Sequence, residues 1–180
     1  CSLTTVHAEA FSNLEIMIEL DLSYNQLRTI KPDTFTGNRR LRKLWLNHNP
    51  LRNLEKFKFP AIDHLQMLDL SHCRLSKLGR TTFASLDTSR TEILNLNGNR
   101  FRRLDKRVFY PLKKLVSLTL EGNPWVCDCR LQDFWQWVMT NSLFNHPTAC
   151  SEPAKLKGVT WNLLQVDSLA CPPHVRVPEP

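Results

Sequence analysis

The chain of 180 residues contains only five glycines, too few and too scattered to form a phosphate-cradling loop. It has no G-x-S-x-G nucleophile turn and no H-E-x-x-H pair. Its six histidines, His7, His48, His64, His72, His146 and His174, fall at no recognised metal-ligand spacing. Nothing here calls for catalysis, a metal or a cofactor. No run of 18 apolar residues is present, so no segment reads as a membrane-spanning helix, and membrane attachment would have to come from sequence downstream. A secretory leader is not visible. The sequence holds no N-x-S/T acceptor, so no N-glycan shields any face. It holds no nucleic-acid reader motif either.

What is present is a ladder. Asn25 and Asn49 lie 24 residues apart, Cys73 falls on the next rung, Asn99 follows after 26, and Asn123 after another 24. Cys1 lies 24 residues before Asn25 and is a rung as well. Each rung sits in the pattern L-x-x-L-x-L-x-x-N/C-x-L, the leucine-rich-repeat signature. Leucine pairs recur in register at Leu20/Leu22, Leu44/Leu46, Leu68/Leu70, Leu94/Leu96 and Leu118/Leu120. Period two means a short strand with one buried face. No coil can bury its leucines alone, so stacking on a neighbour makes the core. The predicted fold is an α/β solenoid with short parallel strands on a concave face and an irregular convex side. Phe11, Phe35, Phe59, Phe83 and Phe109, each ten residues past a rung, are expected to build the convex part of the core.

The rung asparagine is expected to bond the backbone groups freed by the sharp turn, in its own coil and the next one. Cys1 and Cys73 stand three coils apart, roughly 14 Å at about 4.8 Å per strand, too far for a disulfide. Cys73 therefore reads as a buried free thiol. The two residues added between Cys73 and Asn99 fall most simply within Asp87–Glu92, on the convex connection.

After Asn123 comes Cys127-Asp128-Cys129, then a tract with apolar Leu131, Phe134, Trp135, Trp137 and Val138 at helical spacing, then Cys150 and Cys171. Spacing alone allows three pairings of these four cysteines. Zinc is a weaker reading, because C-x-C is tighter than the usual knuckle and the loops are long. The arrangement resembles the cysteine-rich C-terminal cap of extracellular leucine-rich-repeat proteins. That resemblance implies Cys127–Cys150 and Cys129–Cys171. It extends to leucine-rich-repeat receptors with immunoglobulin domains of the Kekkon type, and less closely to Toll-like receptor ectodomains. The expected organisation is repeats over 1–123 (five to six coils, the first partial), a cap over 124–172, and an extended proline-rich linker over 173–180 leading toward an immunoglobulin-like domain. Because Cys1 opens in mid-repeat, an exposed or covered amino end is expected. Disulfides imply an extracellular setting, secreted or as a receptor ectodomain.

Two surfaces are candidates for function. On the concave face, Asp21, Trp45, Asp69, Asn95 and Thr119 form a middle column, preceded by Glu19, Lys43, Met67, Ile93 and Ser117. Trp45, Met67 and Ile93 are apolar at positions that face outward, the residue types that anchor protein interfaces. Bordered by Asp21, Tyr24, His48, Asp69 and His72, they form the candidate site for a protein partner or co-receptor. Packing between neighbours on a partly covered sheet would account for the same residues. The second surface is basic. Net charge is +7 with a pI near 9.3, and Arg28, Arg52, Arg74, Lys77, Arg100, Arg102 and Arg103 follow the strands. Aligned on one edge, they would suit a polyanion such as heparan sulfate, as in a secreted matrix or pattern-recognition module. A solvated rim is the plainer reading.

Overall fold

The structure, a computed structural model, describes residues 1–145 and 147–176. His146 and the last four residues of the proline-rich segment lie outside the described residues.

Five three-residue strands carry the leucine pattern: β1 (Glu19–Asp21), β2 (Lys43–Trp45), β4 (Met67–Asp69), β6 (Ile93–Asn95) and β7 (Ser117–Thr119). They pair in parallel in the order β1-β2-β4-β6-β7. Leu20, Leu44, Leu68, Leu94 and Leu118 stand opposite one another in the register and point into the core. Two further strands, β3 (Asn53–Leu54) and β5 (Lys77–Leu78), pair in parallel beyond the turn. Gly79 lets these two coils approach, since a Cβ there would stand 2.0 Å from the Glu55 carbonyl oxygen. The two extra residues before β6 leave its register on β4 intact.

The convex side is made of short 3-10 turns, at Pro32–Phe35, Ala84–Leu86 and Lys106–Phe109. Phe35, Phe59, Phe83 and Phe109 are buried beside them, while Phe11 is partly buried. Phe59 stacks on Phe83 at 5.9 Å and Phe83 on Phe109 at 6.3 Å. The spine then crosses into the cap, where Phe109 meets Phe134 of α1 (Gln132–Thr140) at 5.6 Å.

The rung side chains tie each coil to the preceding coil rather than to the next one. Asn99 Nδ2 donates to the carbonyls of Leu96, in its own coil, and Leu70, one coil back, both at 3.0 Å. Its Oδ1 accepts from the N–H groups of Cys73 and Leu75. Asn49 and Asn123 repeat the motif. The direction follows from the groups each coil leaves open: the carbonyls of Leu22, Leu70 and Leu96 and the N–H groups of Leu27, Leu75 and Phe101 face the following coil, where its asparagine stands. At Cys73, the thiol donates to the Leu46 carbonyl at 3.2 Å, but sulfur offers no equivalent of Oδ1. The Leu51 N–H accordingly turns back to the Asn49 carbonyl at 2.8 Å. Cys73 is a buried free thiol and Cys1 an exposed one. Burial pushes the Cys73 thiol up to about 12.

The open carboxyl end of the core is closed by aromatic rings. Trp125 continues the Leu27, Leu51, Leu75, Phe101 column, stacks on Phe101 at 6.4 Å and meets Trp161 edge-on at 5.1 Å. Its indole N–H donates to the Leu120 carbonyl. Disulfides Cys127–Cys150 and Cys129–Cys171 close loops with sequence separations of 23 and 42. Loops of that size give roughly 3 to 4 kcal/mol each in the loop-closure account. Pro172–Val175 departs from the expected extended form. It folds into a turn closed by the Val175 N–H on the Pro172 carbonyl, because Pro173 presets the φ of the second turn position.

Two outcomes test this picture. Asn99→Ala strands two N–H donors and two carbonyls in a buried site, and is expected to cost about 3 kcal/mol or more in urea unfolding; a loss under about 0.5 kcal/mol would contradict the bridging role. A disulfide-exchange reagent at pH 8 should label Cys1 within the mixing time and Cys73 only as the chain unfolds.

Candidate protein-interaction face

The strand register builds the face. Asp21, Trp45, Asp69, Asn95 and Thr119 stand side by side on the outward surface, and so do Glu19, Lys43, Met67, Ile93 and Ser117. Trp45 and Met67 are half-buried and Ile93 is 43% exposed. Met67 and Ile93 stand directly opposite each other on β4 and β6, and Trp45 on β2 lies one outward position further along, diagonal to Met67. At the amino side Lys43 pairs with Glu19 at 3.7 Å, an exposed pair of little energetic weight.

The acidic border is partly committed to local structure. Asp21 accepts from the Ser23 N–H at 2.9 Å and from its hydroxyl. Asp69 does the same with Ser71. Asn95 accepts from Asn97 N–H and from the Thr119 hydroxyl. These side chains pin the turn after each strand, leaving part of each carboxylate for a partner.

Beyond the strands, Tyr24, His48 and His72 form one stack. Tyr24 lies 4.2 Å from His48 at an interplanar angle of 9°, and His48 lies 4.5 Å from His72 at 15°. All three backbones are left-handed, with φ of 57°, 59° and 52°, and the row continues through Gly98 and Gly122 at 66° and 72°. Bulky residues rarely hold this conformation. Here the N–H groups of Tyr24, His48, His72 and Gly98 each bond a carbonyl of the following coil, which fixes the backbone. Gly98 leaves room for the His72 ring, because a Cβ there would come within 2.3 Å of it. Equivalence in the repeat brings His48 and His72 together. The residue pattern does not reveal the ring stacking, although glycine at the same position in two later coils signals the left-handed backbone.

Partial burial lowers the His48 pKa, the neighbouring His72 lowers it further, and Asp69 acts in the opposite sense. Two imidazolium charges at this spacing repel by roughly 1 kcal/mol even at the dielectric of water.

The basic residues occupy three adjoining rows rather than a single one. Arg28, Arg52 and Arg102 share a row interrupted at Ser76; Arg74 and Arg100 form a second; Lys77 and Arg103 a third. The reason is their offset, since they lie one, three or four residues past their rungs. Arg52 and Arg74 are also left-handed, with φ of 63° and 56°. At the carboxyl end the rows meet two cap cations that the repeat pattern does not point to, Arg130 and Lys155. Asp128, with only 5% of its side chain exposed, pairs with Arg130 and, at 3.8 Å, with Arg103. Burial by itself would raise the Asp128 pKa, but the hydrogen bonds from Arg130 and the charges of Arg130 and Arg103 hold it below the usual carboxylate range.

The family model described as "Leucine rich repeat" matches residues 1–51 and 63–124, well over half of the chain. The chain belongs to the leucine-rich-repeat family. Mouse leucine-rich repeat-containing protein 52 is 34% identical over 84 residues, 44% of this chain and 26% of that protein. Human carboxypeptidase N subunit 2 is 43% identical over 60 residues, 32% of this chain and 11% of that protein. Among solved structures, the octameric complex of Latrophilin 3, Unc5D and the leucine-rich repeats of FLRT2 contains a chain that superposes with a TM-score of 0.77 and 27% identity. That match covers 95% of this chain and 52% of the other. The leucine-rich-repeat chain thus spans only part of the relatives it resembles. Proteins of this family generally act as binding modules rather than enzymes. Its disulfides and its relatives fit an extracellular or secreted setting.

The histidine pair has a measurable signature. In NMR titrations His48 is expected to lose its proton below its ordinary value of 6.5. His72→Gln should raise that midpoint, and Asp69→Asn should lower it. Because the folded chain holds this proton less tightly than the unfolded one, the His48 contribution to stability is complete above about pH 6.5 and declines as the pH falls through the folded-state midpoint.

Proposed function

We propose that this chain is the protein-binding module of a cell-surface receptor or adhesion protein, and that its concave face is the binding surface. Trp45, Met67 and Ile93 form the apolar centre; Asp21, Tyr24, His48, Asp69 and His72 form the polar and aromatic border. The observation that carries the reading is the apolar cluster itself. A tryptophan, a methionine and an isoleucine occupy outward positions of a sheet whose other outward residues are almost all polar. The sheet is rigid because every strand is held on its neighbours by backbone bonds and rung asparagines, so a partner would meet a preorganised surface and lose little ordering entropy. Two relatives support an assembly role: FLRT2 repeats stand in an octameric complex with Latrophilin 3 and Unc5D, and carboxypeptidase N subunit 2 is a subunit. On this reading a further extracellular domain follows the cap.

The test is a cell-binding screen of the chain as an Fc fusion against expressed receptor ectodomains, repeated with variants. Trp45→Ala and Ile93→Glu are each expected to weaken a partner found in this way by about 30-fold, as central interface anchors do, with unchanged melting. Lys58→Glu on the convex side should leave binding intact. The reverse pattern, loss at Lys58 and none at Trp45 or Ile93, would overturn the assignment.

A further inference from the structure

At the junction between the last coil and the cap, two grooves of about 520 and 470 Å³ adjoin. Arg103 and Arg130 line both. Lys106 and Arg107 complete the cationic lining of the first, Arg102 and Lys155 that of the second.

The charges here do not cancel. Asp128 is shared by Arg103 and Arg130. Asp105 is shared by Arg80 and Arg107, at 3.1 and 3.0 Å. One carboxylate between two guanidiniums leaves one positive charge uncompensated, and this happens twice within one region. Among the described residues of the junction, only Arg102 has a carboxylate to itself, Glu152 at 3.2 Å. Among the described residues, Lys106 and Lys155 make no ion pair. Asp133 lines the first groove and offsets part of the surplus without removing it. Among the described residues, the buried Arg103 Nε meets no acceptor, so this guanidinium keeps an unused donor at the crowded centre. Burial, and then the neighbouring Arg130 and Arg102, pull its pKa below the ordinary value.

We infer that this junction is a binding site for a linear sulfated glycan, whose anionic groups occupy the two grooves on either side of the Arg103–Arg130 pair. Arginine suits the sulfate geometry, because its planar fork can give two parallel hydrogen bonds to one anionic group. A chain-like ligand fits better than a single ion. The grooves are adjacent, and the rows of Arg102, Arg52 and Arg28 and of Arg103 and Lys77 lead away from them along the solenoid. The disulfides place the site in an oxidising compartment, where glycans rather than nucleic acids are the common polyanions. The cationic lining offers no Phe, Tyr or Trp face for base stacking, which single-stranded nucleic acid requires. This inference does not depend on the concave-face reading, because the two surfaces share no residue.

The experiment is retention of the full chain on immobilised heparin, with affinity measured at several salt concentrations. Lys106→Glu/Lys155→Glu removes the two cations that hold no partner, without touching the ion-pair network. It is expected to weaken binding about tenfold at roughly 0.15 M salt. Lys113→Glu/Lys114→Glu carries the same change in net charge on exposed residues outside the grooves, and is expected to cost less than about threefold. Both variants should melt like the parent. Equal losses in the two variants would mean that net charge alone is responsible, and would overturn the site. So would equal retention on chemically desulfated heparin. Displacement by a single-stranded RNA at concentrations as low as those of free heparin would overturn the glycan assignment.

Discussion

The fold rests on the hydrogen bonds of the rung asparagines. A strand only three residues long cannot keep a turning chain in place, and every turn leaves carbonyls and N–H groups facing an apolar interior. Unmade bonds at such groups cost about 1–3 kcal/mol each. A single amide that donates to two coils and accepts from one of them removes the cost and sets the spacing between coils at the same time. With that spacing set, leucines meet leucines, phenylalanines meet phenylalanines, and outward residues fall into columns. Where the chain departs from the rule it compensates locally. Cys73 loses the acceptor, and Leu51 rearranges its own N–H. Thr91 stands where other coils place Leu41 and Leu65, and its hydroxyl donates to the Leu65 carbonyl at 3.0 Å.

The same logic of satisfying an open end shapes the cap. Phe109, Trp125, Phe134 and Trp161 carry the aromatic interior past the last coil. The Val126 N–H bonds the Arg102 carbonyl, so the backbone ladder continues one step into the cap. Asp128, buried at the seam, is gripped by Arg103 from the repeats and by Arg130 from the cap. Fastening the two parts with one carboxylate and two arginines leaves positive charge behind. The anion-binding site inferred at the junction therefore follows from how the cap is attached.

Much of this was legible in the residues. The period of two at Leu44 and Leu46 assigned Trp45 to the outward face, and the 24-residue period placed it between Asp21 and Asp69, where the register has it. The ten-residue offset of Phe59, Phe83 and Phe109 marked them as core. Other features were hidden because they depend on direction and backbone conformation, which a pattern of residue types does not encode. The asparagine amides reach backward, toward the coil already made. Tyr24, His48 and His72 adopt the glycine-like conformation of Gly98 and Gly122, which turns an ordinary loop position into a ring stack. The arginines after the strands share a side of the molecule but not a single row.

By itself, then, the sequence determined what is buried and what repeats, because solvation acts on residue type and the solenoid converts a fixed interval into neighbourhood. It marked the cysteine pairs through a likeness to known caps. Only the tertiary structure decided which polar groups satisfy one another, and which charges are left over. Those outcomes depend on groups from different coils, or from a coil and the cap, arriving within 3 to 4 Å of each other, a distance set by the turns and the cap together.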